Sequence, residues 1–492
     1  MFLYHILSAL ILLYFVNGAE INVANTQLWG PGLRAEANVP VRYFYIQAYD
    51  KKNKIIKKDL GDDAFKLSLS SPSGQRVRAW AQVLNRLNGS YVARFRLYDF
   101  SGELTISLTH KGKHVANSPY HLKEVYGNDC FCPTNQKKWF KALECPKSFQ
   151  QIEDDFQIHD KIEVSTLREK MLERFGKHHS FCNYVIKNNE VFRECHGSIT
   201  DFKMFMDAPL LNLARKVKLP DISFFINLGD WPLEKNKANP LPIVSWCGSD
   251  DSYDIILPTY DITNSVLEML GRVSLDVFSV QANSKPKWSE KEDKGFFRGR
   301  DSRQERLDLA AMSLKNPEIL EAGITRYFFF KKDEVKYGKP VQHVSFYDFF
   351  KYKYQINVDG TVAAYRFPYL MLGNSAVFKQ DSGYYEHFYK QLEPNKHYIP
   401  IKHDLTDVIE KLKWARANDD KVREIQEAGT KLAREILTPA NILCYHVALF
   451  NAYAAKQNGT VEVLEGMEKL DQPEQKSCRC RRKNKNKAKD EL

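Results

Sequence analysis

The sequence predicts an α/β protein in which two Rossmann-like lobes follow an all-β immunoglobulin-like sandwich. Three observations carry that expectation. Residues 24–125 hold only short strands, broken by turn residues at 50–53, 71–74, 88–89 and 111–112, the rhythm of a sandwich. Farther on, strands alternate with helical segments, as in a parallel sheet wound by crossovers. The run 222–228 (ISFFINL) is apolar almost throughout, which a strand covered on both faces demands. At 492 residues the chain exceeds a single core, and about 150 residues per domain allows roughly three. The expected divisions are a leader at 1–18, the sandwich at 24–125, a first lobe at 130–290, a second lobe at 291–460 and a basic, disordered tail at 461–492.

Composition narrows the class. With 43% hydrophobic and 27% charged residues the chain is neither disordered nor fibrous. The net charge is +11, but residues 476–492 alone carry eight basic side chains against two acidic ones. The rest is nearly balanced, so no nucleic-acid partner is expected.

The two ends read as an address. Residues 1–18 contain no acid and a dense apolar run at 6–16, too short to cross roughly 30 Å of hydrocarbon. A cleaved signal peptide is expected, with a signal anchor as the alternative. No later stretch reaches 18 apolar residues, so no stable membrane insertion is expected. Lys489, Asp490, Glu491 and Leu492 spell the endoplasmic-reticulum retrieval signal, which implies the KDEL retrieval receptor as a partner and the reticulum lumen as residence. The basic stretch before it is expected to be a solvated stalk, with attraction to lipid or proteoglycan as the alternative.

Nine cysteines in such a compartment point to disulfides. Cys130-x-Cys132 with Cys145 could supply half of a zinc site, but the matching second half is missing, since the closing pair Cys478-x-Cys480 lies in the polar tail with no nearby His. An odd count leaves one thiol free, and Cys247 in an apolar strand is the candidate. Asn88 and Asn458 head glycosylation sequons.

In the sandwich the strand signals are 39–50, 65–69, 90–97 and 104–108. Its strings Trp29-Gly-Pro-Gly-Leu33, Gly89-Ser-Tyr91 and 112–120 (GKHVANSPY) resemble the immunoglobulin-like filamin repeat. No residue there suggests chemistry, so the domain is expected to bind or position a partner. In the first lobe the pattern predicts a helix at 201–217, with Phe202, Phe205, Met206 and Leu210 on one face, then strands at 222–228, 243–247 and 255–257. In the second it predicts strands at 295–298, 326–330, 355–358, 376–380 and 397–401, helices at 303–315, 345–353, 361–372 and 384–392, and closing helices near 406–417, 420–436 and 440–455. Two such lobes facing one cleft are similar to the nucleotide-sugar transferases of GT-B type.

Ligands of wound sheets lie beyond the carboxyl ends of the strands, and three segments fall there. In Ile226-Asn-Leu-Gly-Asp230-Trp-Pro232, Asp230 could accept the proton of an attacking hydroxyl, or merely bond its own turn. In 296–306 (FFRGRDSRQER), a strand runs into a helix start with Asp301 or Ser302 as cap. Arg300 and Arg306 could hold a diphosphate there with the free N–H groups, while Arg303 could be merely solvated. The alternative is a capped helix with a charged outer face. In 357–366 (NVDGTVAAYR), Thr361, Val362, Ala363, Ala364, Tyr365 and Arg366 read as a second helix start open to close backbone approach, or as an ordinary buried one. No Asp-x-Asp clamp, G-x-G-x-x-G, P-loop or Gly-x-Ser-x-Gly elbow occurs, so no metal and no dinucleotide is expected. Cations and helix starts would have to stabilise a departing phosphate.

NLGDWP (227–232), FFRGRDSRQER (296–306), YKYQINVDGTVAAYRFPYL (352–370) and KHYIPIK (396–402), in this order, resemble the protein O-glucosyltransferase family, the Rumi-like enzymes with a CAP domain. The filamin-like front and KDEL end make the chain similar to the KDEL-motif-containing branch. The resemblance implies inverting transfer of glucose from UDP-glucose to serine hydroxyls of EGF-like repeats; the preference between UDP-glucose and UDP-xylose stays open at the level of sequence. It implies Asp230 as base, and Arg300, Arg306 and residues 361–366 as the UDP-sugar site. The single-domain members carry Arg-Gly-Ser where this chain has Arg298-Gly-Arg300, which leaves the role of Arg300 open. The resemblance also suggests that Cys130 pairs with Cys444 and Cys132 with Cys145; Cys182 with Cys195 lies beyond its pattern. The alternative function is an inactive lumenal binding protein acting through the filamin-like domain.

Overall fold

The computed structural model describes residues 20–177, 179–267, 275–473 and 478–480. The expected leader and the retrieval signal at 489–492 lie outside them.

The sandwich forms as its alternation requires. One sheet orders Gln27–Trp29, Arg42–Gln47, Ser90–Leu97 and Ala79–Asn85; the other sets Lys66–Ser70 and Tyr120–Tyr126 against the long strand Ser101–His110. All these pairs are antiparallel. Phe44, Ile46, Tyr91 and Phe95 face Leu104, Ile106 and Leu108 in a closed core. One feature departs from a free-standing module: the outer face of the first sheet is buried too. Val41, Tyr43, Leu84 and Val92 join the core of the following lobe. The Tyr43 ring lies 4.9 Å from that of Phe278. The Trp139 indole donates to the Asn38 carbonyl at 2.8 Å.

The first lobe is not the parallel sheet expected. Its order is Ile255–Ile256, Ile243–Ser245, Ile222–Asn227, Phe181–Lys187, Glu190–His196 and Glu468–Lys469. Only the first three run parallel; Phe181–Lys187 is antiparallel to both of its neighbours. The cause is a hairpin whose turn is Asn188-Asn189, both at positive φ (52° and 66°), a conformation that asparagine tolerates and a two-residue hairpin loop needs. Ile222–Asn227 is buried at every position, as its composition predicts. The expected helix at 201–217 runs from Met204 to Lys216 and buries Met206 and Leu210, whereas Phe202 is exposed.

The second sheet is fully parallel: Leu320–Arg326, Glu292–Arg300, Tyr352–Asn357, Ala376–Gln380 and Ile399–Ile401. Several elements move from their expected places. The strand expected at 326–330 ends at Arg326. The helix expected at 361–372 begins only at Phe367, because Pro368 has no N–H for an i−4 bond and fits only a first turn. The helix expected at 345–353 is a short 3-10 segment, Phe346–Lys351. In place of a helix at 384–392, Tyr384–Tyr385 pairs with Gly248–Ser249 of the first lobe, and a 3-10 turn follows at Tyr389–Gln391. The closing helices Val408–Ala417, Asp419–Ile436 and Pro439–Lys456 stand nearly as predicted. The last returns to the first lobe, where Tyr453 Oη donates to the Pro242 carbonyl at 2.9 Å.

The disulfides correct the expected pairing. Cys130 joins Cys478, Cys132 joins Cys480, Cys145 joins Cys444 and Cys182 joins Cys195; Cys247 is free and buried. The first two share a sequence separation of 348, so two C-x-C segments lie side by side in one register, each extended with both thiols on one face. Those four thiols are thereby withdrawn from any zinc site. Cys145 follows the helix Gln136–Leu143, which sets its Cα 5.7 Å from that of Cys444, leaving neither for the pairing expected. The tail expected to be free from 461 is therefore held twice, by Glu468–Lys469 in the sheet and by this pair of bonds. Asn88 and Asn458 are both exposed.

Candidate active site

Asp230 stands on the loop that leaves Ile222–Asn227 at its carboxyl end. The loop is shaped by other side chains. Asn227 Oδ1 accepts from Gly229 N at 2.8 Å, and its Nδ2 donates to the Trp231 carbonyl at 2.7 Å and Ser245 Oγ at 3.1 Å. Buried Asp254 takes the N–H groups of Leu233 and Glu234 at 2.8 and 2.9 Å, and burial pushes it up to about 6. Asn227 and Asp254 thus do the turn work that Asp230 could have done. The Asp230 carboxylate has an inaccessible Oδ1 without a hydrogen-bond partner. Burial raises its pKa, and Arg300 of the second lobe acts in the opposite sense. Asp230 in turn perturbs the phenols of Tyr260 and Tyr365, and the Cys247 thiol donates to the Asp230 carbonyl at 3.4 Å.

On the second lobe four arginines gather with few counter-charges. Arg300 ends the strand Glu292–Arg300, exposed, with its guanidinium 5.5 Å from the Phe328 ring centre. Arg306, on the first turn of Gln304–Lys315, is buried. It donates to the main-chain carbonyls of Asp359 (2.7 Å), Val358 (3.1 Å) and Arg300 (3.2 Å). It therefore braces the two loops, whereas the sequence placed it at the ligand. Burial, then Arg366, brings it down to about 9. Arg366 donates to the Arg298 carbonyl and is lowered to about 10 by burial and by Arg300. Arg303 is not merely solvated: it lies 5.7 Å from the Tyr384 ring centre and opposes the charge of Arg306. Two glycines admit this crowding. A Cβ on Gly360 would stand 3.1 Å from Arg306 Nη2, and one on Gly299 3.3 Å from Arg366 Nη2.

The helix starts differ from expectation. Residues 361–366 form a turn, with Gly360 N bonded to the Val362 carbonyl at 2.9 Å; Val362, Ala363 and Ala364 are buried, and Thr361, Tyr365 and Arg366 partly so. They offer a cleft wall and no free helix terminus. Gln304–Lys315 starts behind Arg303 without any side-chain cap. Neither Asp301 nor Ser302 caps it. Fully buried Asp301 instead accepts from the N–H groups of Phe328, Phe329 and Phe330 at 2.8–2.9 Å, bending that loop so that Phe328 and Phe329 face solvent. One open helix N-terminus thus lies beside the arginines, where partial positive charge attracts an anion.

Sequence reasoning missed three neighbours. Tyr260 is coupled to both Asp230 and Arg300. Asp254 carries the loop. Glu386 is wholly buried with Oε2 unpartnered, its pKa driven up by burial and by Asp261. Only Tyr260 had a readable signal, the first helical position after Pro258-Thr259 at a strand end. The whole can deprotonate a hydroxyl at Asp230 while holding an anionic leaving group on the other lobe.

Residues 141–492 match the family described as Glycosyl transferase family 90, and residues 20–121 the Filamin/ABP280 repeat. Protein O-glucosyltransferase 2 of Danio rerio is 49% identical over 477 residues, covering 96% of this chain and 95% of that protein. Protein O-glucosyltransferase 3 of Homo sapiens is 47% identical, covering 94% of each. Protein O-glucosyltransferase 1 of Homo sapiens is 30% identical over 298 residues, 58% of this chain and 76% of that one.

Proposed function

The chain belongs to glycosyl transferase family 90, and from that membership we propose that it transfers glucose from UDP-glucose, with inversion, to serine hydroxyls of folded EGF-like repeats in the endoplasmic-reticulum lumen. It is a protein O-glucosyltransferase, with a sugar donor and a protein acceptor, as its relatives are named along nearly their whole length. The observation that carries the finer reading is half-buried Asp230, its Oδ1 without a hydrogen-bond partner, at the carboxyl end of a buried strand and close enough to Arg300 to feel its charge.

In this reading the two lobes close on the donor in the GT-B manner. Asp230 takes the proton of the serine hydroxyl as its oxygen attacks the anomeric carbon from the face opposite the diphosphate. The bond from that carbon to the UDP oxygen breaks, and its electron pair stays on the diphosphate. Arg300, Arg366 and the open start of Gln304–Lys315 stabilise that charge. Burial makes Asp230 a stronger base than an ordinary carboxylate, and Arg300 acts in the opposite sense by favouring its charged form. Guanidinium groups do the work that a divalent ion does elsewhere, so no metal is required. The turn 361–366 walls the donor site, and UDP-xylose is accepted as a second donor, since one hydroxymethyl group is worth only about 1–3 kcal/mol. Four disulfides among the described residues suit a lumenal resident, glycosylated at Asn88 and Asn458 and returned by the retrieval receptor through 489–492.

The test incubates the purified protein with UDP-glucose or UDP-xylose and either folded or reduced EGF-like repeats, reading serine-linked sugar by mass spectrometry. Sugar on folded repeats only is expected. No transfer to any repeat would leave the acceptor class wrong.

A further inference from the structure

At the seam between the sandwich and the helix Asp419–Ile436, two arginines near enough to oppose each other's charge have no carboxylate to answer them among the described residues. Arg86 follows the strand Ala79–Asn85, in the turn before Ser90–Leu97. Its guanidinium lies 5.9 Å from the Tyr45 ring centre. Arg434, on the helix, reaches the Leu372 carbonyl through Nη2 at 3.4 Å. The Nε atoms of both are inaccessible and without a partner, although both side chains remain partly open to solvent. Burial lowers both pKa values; Arg86 further opposes Arg434, and among the described residues only the neutral Tyr45 phenol eases either. Two other buried guanidiniums of the sandwich are answered more fully: Arg94 has Asp276, and Arg42 has the carbonyls of Arg34 and Ala35 at 2.8 and 3.0 Å. Beside the pair, Trp29 is 47% exposed with its ring 5.5 Å from that of Tyr45.

We propose that Arg86 and Arg434 form an oxyanion site at this seam, taking a sulfate or phosphate group between them, with Trp29 as the wall for whatever that group is attached to. Guanidinium pairs suit such groups because their planar N–H forks match two oxygens at once. The anion supplies the missing counter-charge, and its binding locks the sandwich against the transferase.

The test is hydrogen exchange on the whole purified protein, in sulfate and in chloride at matched ionic strength, with Arg86→Met and Arg434→Met beside the wild type. Methionine keeps most of the aliphatic stem and removes the charge. In the wild type, sulfate slows exchange about tenfold at 86–90 and 430–437, and the slowing vanishes in both variants, whose Tm in chloride is unchanged or higher. Reading these segments separates the seam from the arginines of the cleft. Protection by a sugar sulfate at lower concentration than inorganic sulfate assigns the site to an ester lying on Trp29; equal concentrations assign it to the free anion. Equal exchange in both salts in the wild type overturns the site. So does protection that survives in both variants, and so does a Tm several degrees lower in both.

Discussion

Arg94 of the sandwich and Asp276 of the first lobe are paired at 2.8 Å, with side chains 1% and 0% exposed. The same guanidinium holds Gln82 Oε1 and Ser279 Oγ, and the same carboxylate caps the helix Val277–Ala282 through the N–H groups of Phe278 and Ser279. One ion pair thus ties a filamin-type strand to a transferase helix. The sandwich is a fixed part of the enzyme.

Breaking this pair from one side leaves a buried charge alone. Arg94→Met is expected to cost about 3–5 kcal/mol, read as a lower denaturant midpoint in a single cooperative transition. Asp276→Asn should cost a similar amount, because it also weakens the cap. If Arg94→Met leaves stability unchanged, or the sandwich melts separately, the fixed arrangement is wrong.

The cysteine map is checked by peptide mass spectrometry without reduction. Peptides linking Cys130 to Cys478, Cys132 to Cys480 and Cys145 to Cys444 are expected, and Cys247 should alkylate only after unfolding. A Cys130–Cys444 peptide would contradict it.

Asp155 gives a pH dependence opposite to that of most carboxylates. It is buried, accepts from Ile256 N at 2.8 Å and Gln151 Nε2 at 2.7 Å, and burial pushes it up to about 7. Its unfolded value is about 3.9, so between these pH values the folded state binds the extra proton. Stability from this group is full below about 4 and falls as pH rises through 7. Asp155→Asn removes that slope, and Gln151 Oε1, now unpartnered, can turn to accept from the new amide. Thermal melts should show the variant gaining on the wild type from pH 5 to 8; parallel curves would refute this.

Arg300→Met tests whether the charge of Arg300 acts on Asp230. Losing that cation should weaken UDP binding roughly tenfold or more. It should also move the acidic limb of kcat/KM to higher pH, since Arg300 now holds Asp230 down. An unmoved limb with weaker UDP would confine Arg300 to the phosphates.

Much of this was legible in the sequence, and the misses have physical causes. Runs that are mostly apolar, such as 222–228 (ISFFINL) and the start of 376–380 (AVFKQ), mark buried strands whatever surrounds them. The hairpin at Asn188-Asn189 was readable from its turn but hidden by an assumed parallel pattern. Pro368 marked where the helix starts, yet Gly360, seven residues before the observed helix, suggested an earlier one. Asp230 stood out because strand, glycine and Trp-Pro surround it; Asp254 and Glu386 matter through tertiary packing, which no local pattern records. The tail cysteines looked solvated because the sequence around them is polar, and their partners lie 348 residues away.

The central claim is that Asp230 removes the serine proton while the opposite lobe holds the diphosphate. Single-turnover glucosylation of a folded EGF-like repeat by Asp230→Asn, with UDP affinity measured in parallel, tests it most directly. The account predicts a rate lowered about 10²–10⁴-fold with UDP affinity retained. A variant that glucosylates at the wild-type rate would contradict it.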